Sequence, residues 1–249
     1  MEITSIGQAT YYIRDGSLSI LTDPWFSTGG LSALLAPRLL GPALQIDQIE
    51  NCSLILLSHM HIDHWDRHAA ELAARCNSII ITAAYAARRL TKAGLNAVGL
   101  TAGESFSGLG VTVEAVKAKH PLSPGAIGLV LSGRKKVYFS GDTLNHSGLD
   151  SLAGYNLDLA LLQSSCTRYP FIGPDGMDWP AAVSLARRIR PRIFMPMHFT
   201  CKGKYLDLDR KVKIENSKMV EDYLSLGEKE LGAEGIDCRV LWPGEKLEI

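Results

Sequence analysis

The stretch "LSHMHIDHWD", Leu57 to Asp66, carries His59, His61, Asp63 and His64 within six positions of a chain that has only seven histidines. It follows a continuous apolar run, Ser53–Ser58, of the kind expected for a strand buried on both faces. It precedes "DRHAAELAARC" (Asp66–Cys76), where Ala69, Leu72, Ala73 and Cys76 recur at helical spacing. The cluster therefore sits where a strand hands over to a helix, the position at which α/β architectures gather reactive groups. In extended backbone His59 and His61 share a face. The turn into the helix then lets Asp63 and His64 swing toward a second point close by. Imidazoles together with an imidazole–carboxylate pair suit two adjacent divalent ions of borderline softness, such as Zn²⁺, Mn²⁺ or Fe.

Two such ions need six or seven donors, and the rest are expected at other strand ends. His120 ends "VTVEAVKAKH" ahead of Pro121. Asp142 follows "KKVYFS" in "SGDT", where Gly141 permits a tight turn, and His198 ends "RIFMPM". Working outward, Glu2–Ile6, Ala9–Arg14 and Leu18–Asp23 read as short strands, with Asp15-Gly16 as hairpin chemistry. Segment 24–45 reads as a long loop holding one short helix. Strands are expected at 78–82, 127–132, 157–163, 192–197 and 238–242, and helices at Ala83–Lys92, Pro180–Arg190 and Ser217–Leu231. Strand-rich segments alternate with helices in both halves, which favours one layered αββα domain over residues 1–249.

Composition bounds the function. The chain has 249 residues, 26 basic and 26 acidic side chains, a net charge of zero and 46% hydrophobic residues. No basic excess suggests a nucleic-acid partner, and no apolar run approaches the ~18 residues of a membrane span. The N-terminus has the pattern of a strand and lacks that of a signal peptide. Five cysteines without a C-x-x-C pair fit reduced thiols in a cytoplasmic protein. The oligomeric state is left open, a homo-oligomer included.

With these motifs in place, the chain resembles the metallo-β-lactamase superfamily nearly end to end. "ITSIGQATYYI", "ILTDPWFS", "YFSGDT", "PRIFMPMHF" and "PGEKLEI" are similar to its small single-domain branch of metal-dependent hydrolases, which includes the L-ascorbate-6-phosphate lactonase. Two departures are Gln8, where that branch often has histidine, and the long segment "SSCTRYPFIGPDGMDW". The resemblance implies that His59, His61 and His120 hold one ion, Asp63, His64 and His198 the other, and that Asp142 bridges them. It implies a hydroxide shared between the ions as nucleophile, with Asp63 orienting it and protonating the leaving group. Asp23 is expected to fix a ligand imidazole, and His146 to face the cleft as a catalytic or substrate group. His68 reads as a surface residue, Trp25 and Trp179 as packing or pocket walls, and Cys201 as surplus to a complete ligand set. Arg168, Lys202 and Lys204 are expected to rim the cleft and bind an anionic group. The implied activity is hydrolysis of a small lactone, ester or related compound, phosphorylated ones included. The alternative is a small-molecule phosphodiesterase or nuclease.

Overall fold

The structure, a computed structural model, describes residues 1–201, 225 and 227–249. Two seven-stranded sheets lie face to face. The first has the order β16-β1-β2-β3-β4-β5-β6, built from β1 (Glu2–Gly7), β2 (Thr10–Asp15), β3 (Leu18–Thr22), β4 (Leu54–Leu57), β5 (Ile79–Ala83), β6 (Ala97–Leu100) and β16 (Lys246–Glu248). The second runs β15-β14-β11-β10-β9-β8-β7. Its members are β7 (Ser105–Gly108), β8 (Val111–Lys117), β9 (Ile127–Ser132), β10 (Lys136–Phe139), β11 (Leu159–Gln163), β14 (Ile193–Met197) and β15 (Asp237–Cys238). Strands β3 to β6 are parallel, as are β10, β11, β14 and β15, so the carboxyl ends of β3, β4, β10, β11 and β14 can converge.

The alternation of apolar residues explains the layers. Ile3, Ile13, Ile20, Leu54, Leu56 and Ile81 from the first sheet meet Val113, Leu129, Leu131, Phe139, Leu161 and Met195 from the second in one buried core. The opposite face of β4, with Ile55 and Leu57, packs against Leu72 and Ala73 of α2 (Arg67–Cys76) and Leu90 of α3 (Ala84–Lys92). On the other side, Ala160, Leu162 and Phe194 pack against Ala182, Leu185, Ala186 and Ile189 of α4 (Trp179–Ile189). The arrangement is the expected αββα sandwich: strands buried on both faces carry apolar side chains throughout.

Local chemistry sets the element ends. Asp66 caps α2 through the Ala69 amide, and Asp178 caps α4 through that of Ala181. Asn77 and Arg190 close those helices in left-handed conformation. The short helix expected within 24–45 is α1 (Gly30–Leu35).

One expectation changes. Of the strand expected at 238–242 only Cys238 lies in a strand, β15, and the edge of the first sheet is closed by β16 against β1. A 3-10 segment, Ser147–Tyr155, also occupies the connection after Asp142; its Gly148 and Gly154 gave no apolar repeat to read. The helix expected at Ser217–Leu231 lies partly outside the described residues, of which 227–233 are helical.

Candidate metal centre

All seven proposed ligands stand just past strand ends on one edge of the sandwich. His59, His61, Asp63 and His64 follow β4; His120 follows β8; Asp142 follows β10; His198 follows β14. His59 and His64 are completely buried, and Asp63, His120, Asp142 and His198 are buried as well. The side chains form two groups. His120 Nε2 lies 3.1 Å from His61 Nδ1, and the His59 ring packs against both. His64 Nε2 lies 3.2 Å from His198 Nε2. Asp142 Oδ2 is 3.3 Å from His64 Nε2 and 3.5 Å from His198 Nε2, with Asp63 Oδ2 at 3.4 Å from the latter.

Hydrogen bonds on the far side of each ring fix which nitrogen faces inward. His64 Nδ1 donates to Asp23 Oδ2 at 2.6 Å, and His198 Nδ1 to the Ser165 carbonyl at 3.2 Å. His120 Nδ1 donates to the Asp175 carbonyl, and His61 Nε2 to that of Leu122 at 3.3 Å. The Ser58 hydroxyl spends its one proton on Asp23 Oδ2 at 2.5 Å, so His59 Nδ1 is the donor in its 2.9 Å contact with Ser58. Every imidazole thus gives one N–H to the protein and turns the other nitrogen toward the centre.

The His61 Nδ1–His120 Nε2 pair, 3.1 Å apart with both outer nitrogens already donating, is repulsive unless a cation lies between them, and the His64–His198 pair stands among carboxylates that call for positive charge. His59 Nε2 and Asp142 Oδ1 are buried with no hydrogen-bond partner, an arrangement that is costly unless a metal completes it. The residues present therefore fit divalent ions. Charge is divided unevenly. Burial, reinforced by His120, pushes His61 down to about 4, and burial with His64 holds His59 well below its ordinary value. Burial opposes protonation of His64 too, but Asp142 and Asp23 raise it well above the usual range. His59 and His61 are thus kept neutral, whereas the second group, with its carboxylates, demands positive charge.

Asp23 is completely buried and in a left-handed conformation, φ +30°. Its oxygens are taken up by the Ser58 amide (2.7 Å), the Ser58 hydroxyl and His64, so it positions ligands rather than binding an ion. His198 is also left-handed, φ +69°, and its amide donates to the Gln8 carbonyl at 3.1 Å. Gln8, where histidine stood in the resemblance, is itself locked to Thr200 through its backbone amide at 2.7 Å. Strain of this kind persists only where surroundings over-determine it. Gly141 is required as expected: at φ +54° a Cβ would come 2.3 Å from that of Ser58.

Other expected site residues lie elsewhere. His146 is not brought to the cluster. Its Nε2 bonds the Lys117 carbonyl and its Nδ1 accepts from Gly148, because the chain after Asp142 runs back along 117–119, away from His120. Arg168 sits on β12 (Arg168–Tyr169), which pairs with β13 (Gly173–Pro174), and contacts Asp178 at 3.3 Å. Lys202 and Lys204 lie outside the described residues. His68 is on the α2 surface near Glu71, as expected. Trp25 is core, covered by the Arg38 guanidinium 3.4 Å above its ring, and Trp179 packs on Phe194. Ser58 and the backbone acceptors at 122, 165 and 175 were not foreseen. Only Ser58 left a signal, a hydroxyl between an apolar strand and the first histidine.

Comparison with known proteins agrees with this geometry. Residues 19–199 match the family described as Beta-lactamase superfamily domain. A UPF0173 metal-dependent hydrolase of Deinococcus radiodurans is 28% identical over 257 residues, covering 100% of both chains. One from Methanobrevibacter smithii is 30% identical over 216 residues, covering 80% of this chain and 82% of that one. Among solved structures, isothiocyanate hydrolase from Delia radicum gut bacteria shares the fold with a TM-score of 0.77 at 18% identity, over 100% of this chain and 99% of that one. The chain belongs to the beta-lactamase superfamily, among its UPF0173 metal-dependent hydrolases.

Proposed function

We propose that the protein is a dinuclear hydrolase of small molecules, with a lactone, ester or related carbonyl compound as substrate. The observation that carries the reading is the convergence of five imidazoles, each with its outer nitrogen tied off, on two groups spanned by Asp142. His59, His61 and His120 would hold one ion, and Asp63, His64 and His198 the other. Asp142, with Oδ2 toward the second group and Oδ1 unpartnered, would serve both. When bound, Zn²⁺, Mn²⁺ or Fe ions supply an acidified water and polarise the electrophile. Asp63 would orient the attacking water and return its proton to the leaving group. Asp23 and Ser58 keep His64 and His59 in the tautomers the site needs. The zero net charge opposes a polyanionic partner, so the substrate is small.

The test is metal analysis followed by turnover. Purified protein is expected to hold close to two ions per chain and to hydrolyse at least one class in a panel of lactones, esters, phosphodiesters and β-lactams. Chelation should abolish that activity, and the same ions should restore it. Phosphodiester turnover with carbonyl compounds inert would move the assignment to a phosphodiesterase. Failure to bind ions at all would remove the hydrolase reading.

A further inference from the structure

We propose that the substrate carries a sizeable apolar group, an acyl chain or aryl ring, which seats on an apolar rim around the metal centre. This rests on the hydrolase reading above and names the substrate class of that same site.

The observation is where exposed apolar side chains fall. Eight large hydrophobic residues stand out as exposed among the described residues, and seven of them lie on loops leaving the ligand edge. Leu31, Leu34 and Leu35 are on α1, and Leu40 follows it. That loop is tied at both ends to segments that follow ligands. Ser27 is tied to Asp66, while Arg38 bonds the Ser27 carbonyl and pairs with Cys201, three residues past His198. Leu122 stands two residues after His120, and its carbonyl accepts from His61. Phe171 and Ile172 form the tip between β12 and β13, the hairpin bracketed by Ser165 and Asp175, whose carbonyls orient His198 and His120. The eighth residue, Leu109, is in the β7–β8 turn at the opposite end of the sandwich.

Nothing in folding asks for this distribution. Exposed apolar side chains scattered singly are ordinary, but a grouping on one edge marks a binding surface. Phe171 is fully exposed and left-handed at φ +65°, an unfavourable conformation for an aromatic residue that the hairpin nevertheless keeps. The occupant follows from continuity. Three separate loops carry the rim; two bond ligands directly and the third is tied within three residues of His64 and His198, so a substrate held at the ligand edge would meet them. Arg168 pairs with Asp178, and Arg38 bonds the carbonyls of Trp25 and Ser27 and covers the Trp25 ring, with its Nη1 buried and left over. An apolar substituent matches what the exposed side chains of the described loops offer.

The experiment uses the metal-loaded full chain and p-nitrophenyl esters and γ-lactones with acyl chains from two to twelve carbons, kept below their micellar concentrations. KM is expected to fall about two- to fourfold per methylene over the first several carbons. In Phe171→Glu/Ile172→Glu and Leu31→Gln/Leu35→Gln, the ratio of long-chain to short-chain kcat/KM should collapse toward one. Calorimetry with n-alkyl hydroxamates gives a readout without turnover: Kd should fall with chain length, with an increasingly negative heat-capacity change. Chain-length independence of both KM and Kd overturns the proposal, even if turnover leaves the hydrolase reading standing. Absence of turnover on any scissile group, with hydroxamate affinity still rising with length, removes the hydrolase reading and keeps the rim. A wild-type dimer that Phe171→Glu dissociates, seen by light scattering, would assign the rim to a second copy. Phosphatidylcholine vesicle binding lost in that variant would assign it to a lipid surface. Either result overturns the proposal.

Discussion

Asp23→Asn removes one oxygen charge and two hydrogens' worth of acceptor capacity at a point on which both ligand groups depend. The carboxylate accepts from the Ser58 amide at 2.7 Å, the Ser58 hydroxyl at 2.5 Å and His64 Nδ1 at 2.6 Å, with no exposure to solvent. An asparagine has one oxygen and one NH₂, and every group around it is a donor. With the oxygen toward His64, the NH₂ meets the Ser58 amide; flipped, it meets His64 Nδ1. A buried donor left unpaired costs about 1–3 kcal/mol, which lowers Tm by roughly 2–10 °C in a chain of this size. The alternative is for His64 to accept at Nδ1 and carry its proton on Nε2, which then no longer faces an ion as a donor. Loss of an orienting partner of this kind weakens metal affinity about 10–100-fold, or about 1.4–2.7 kcal/mol. Competition against a chromophoric chelator should show that weakening, with Ser58→Ala giving a smaller one confined to the ion held by His59. Unchanged affinity for both ions in Asp23→Asn would refute the orienting role.

Asp142→Asn should keep the fold by circular dichroism while cutting turnover and loaded metal severely, and His68→Ala, on the α2 surface, should be nearly silent. Equal damage from the two would show that the ligand assignment is wrong. Gly141→Ala places a Cβ against Ser58 at a left-handed position, so it should displace His59 and lower both stability and metal content. Retention of wild-type content would contradict this. Asp66→Ala strips the α2 cap and the acceptor for the Phe26 and Ser27 amides, and should cost about 2 kcal/mol in urea unfolding. A loss under about 0.5 kcal/mol would mean that water replaces the carboxylate.

The cluster of His and Asp was readable because its members follow apolar runs, a pattern that the buried strands of this sandwich impose. The positions of β4, α2, β8 and β10 followed from the same periodicities. What stayed illegible was relational. Three of the five fixing acceptors are backbone carbonyls, at 122, 165 and 175, and any residue type supplies a carbonyl. His146 misled because nearness in sequence to Asp142 says nothing about the direction in which the chain leaves it. The short β15 failed for a related reason: "CRVLW" has strand composition, but pairing needs a neighbour, and the contact with β14 ends at Arg239, whose amide bonds the Phe194 carbonyl.

The donors straddle the two sheets, four from the β4 end of one and three from the other, and their span in sequence runs from His59 to His198. No contiguous fragment of the chain shorter than that span holds all seven donors. Because the outer nitrogen of each imidazole is anchored to protein, the rings are aimed by groups at 23, 58, 122, 165 and 175. A backbone shift at any of those positions reaches the centre without touching a donor.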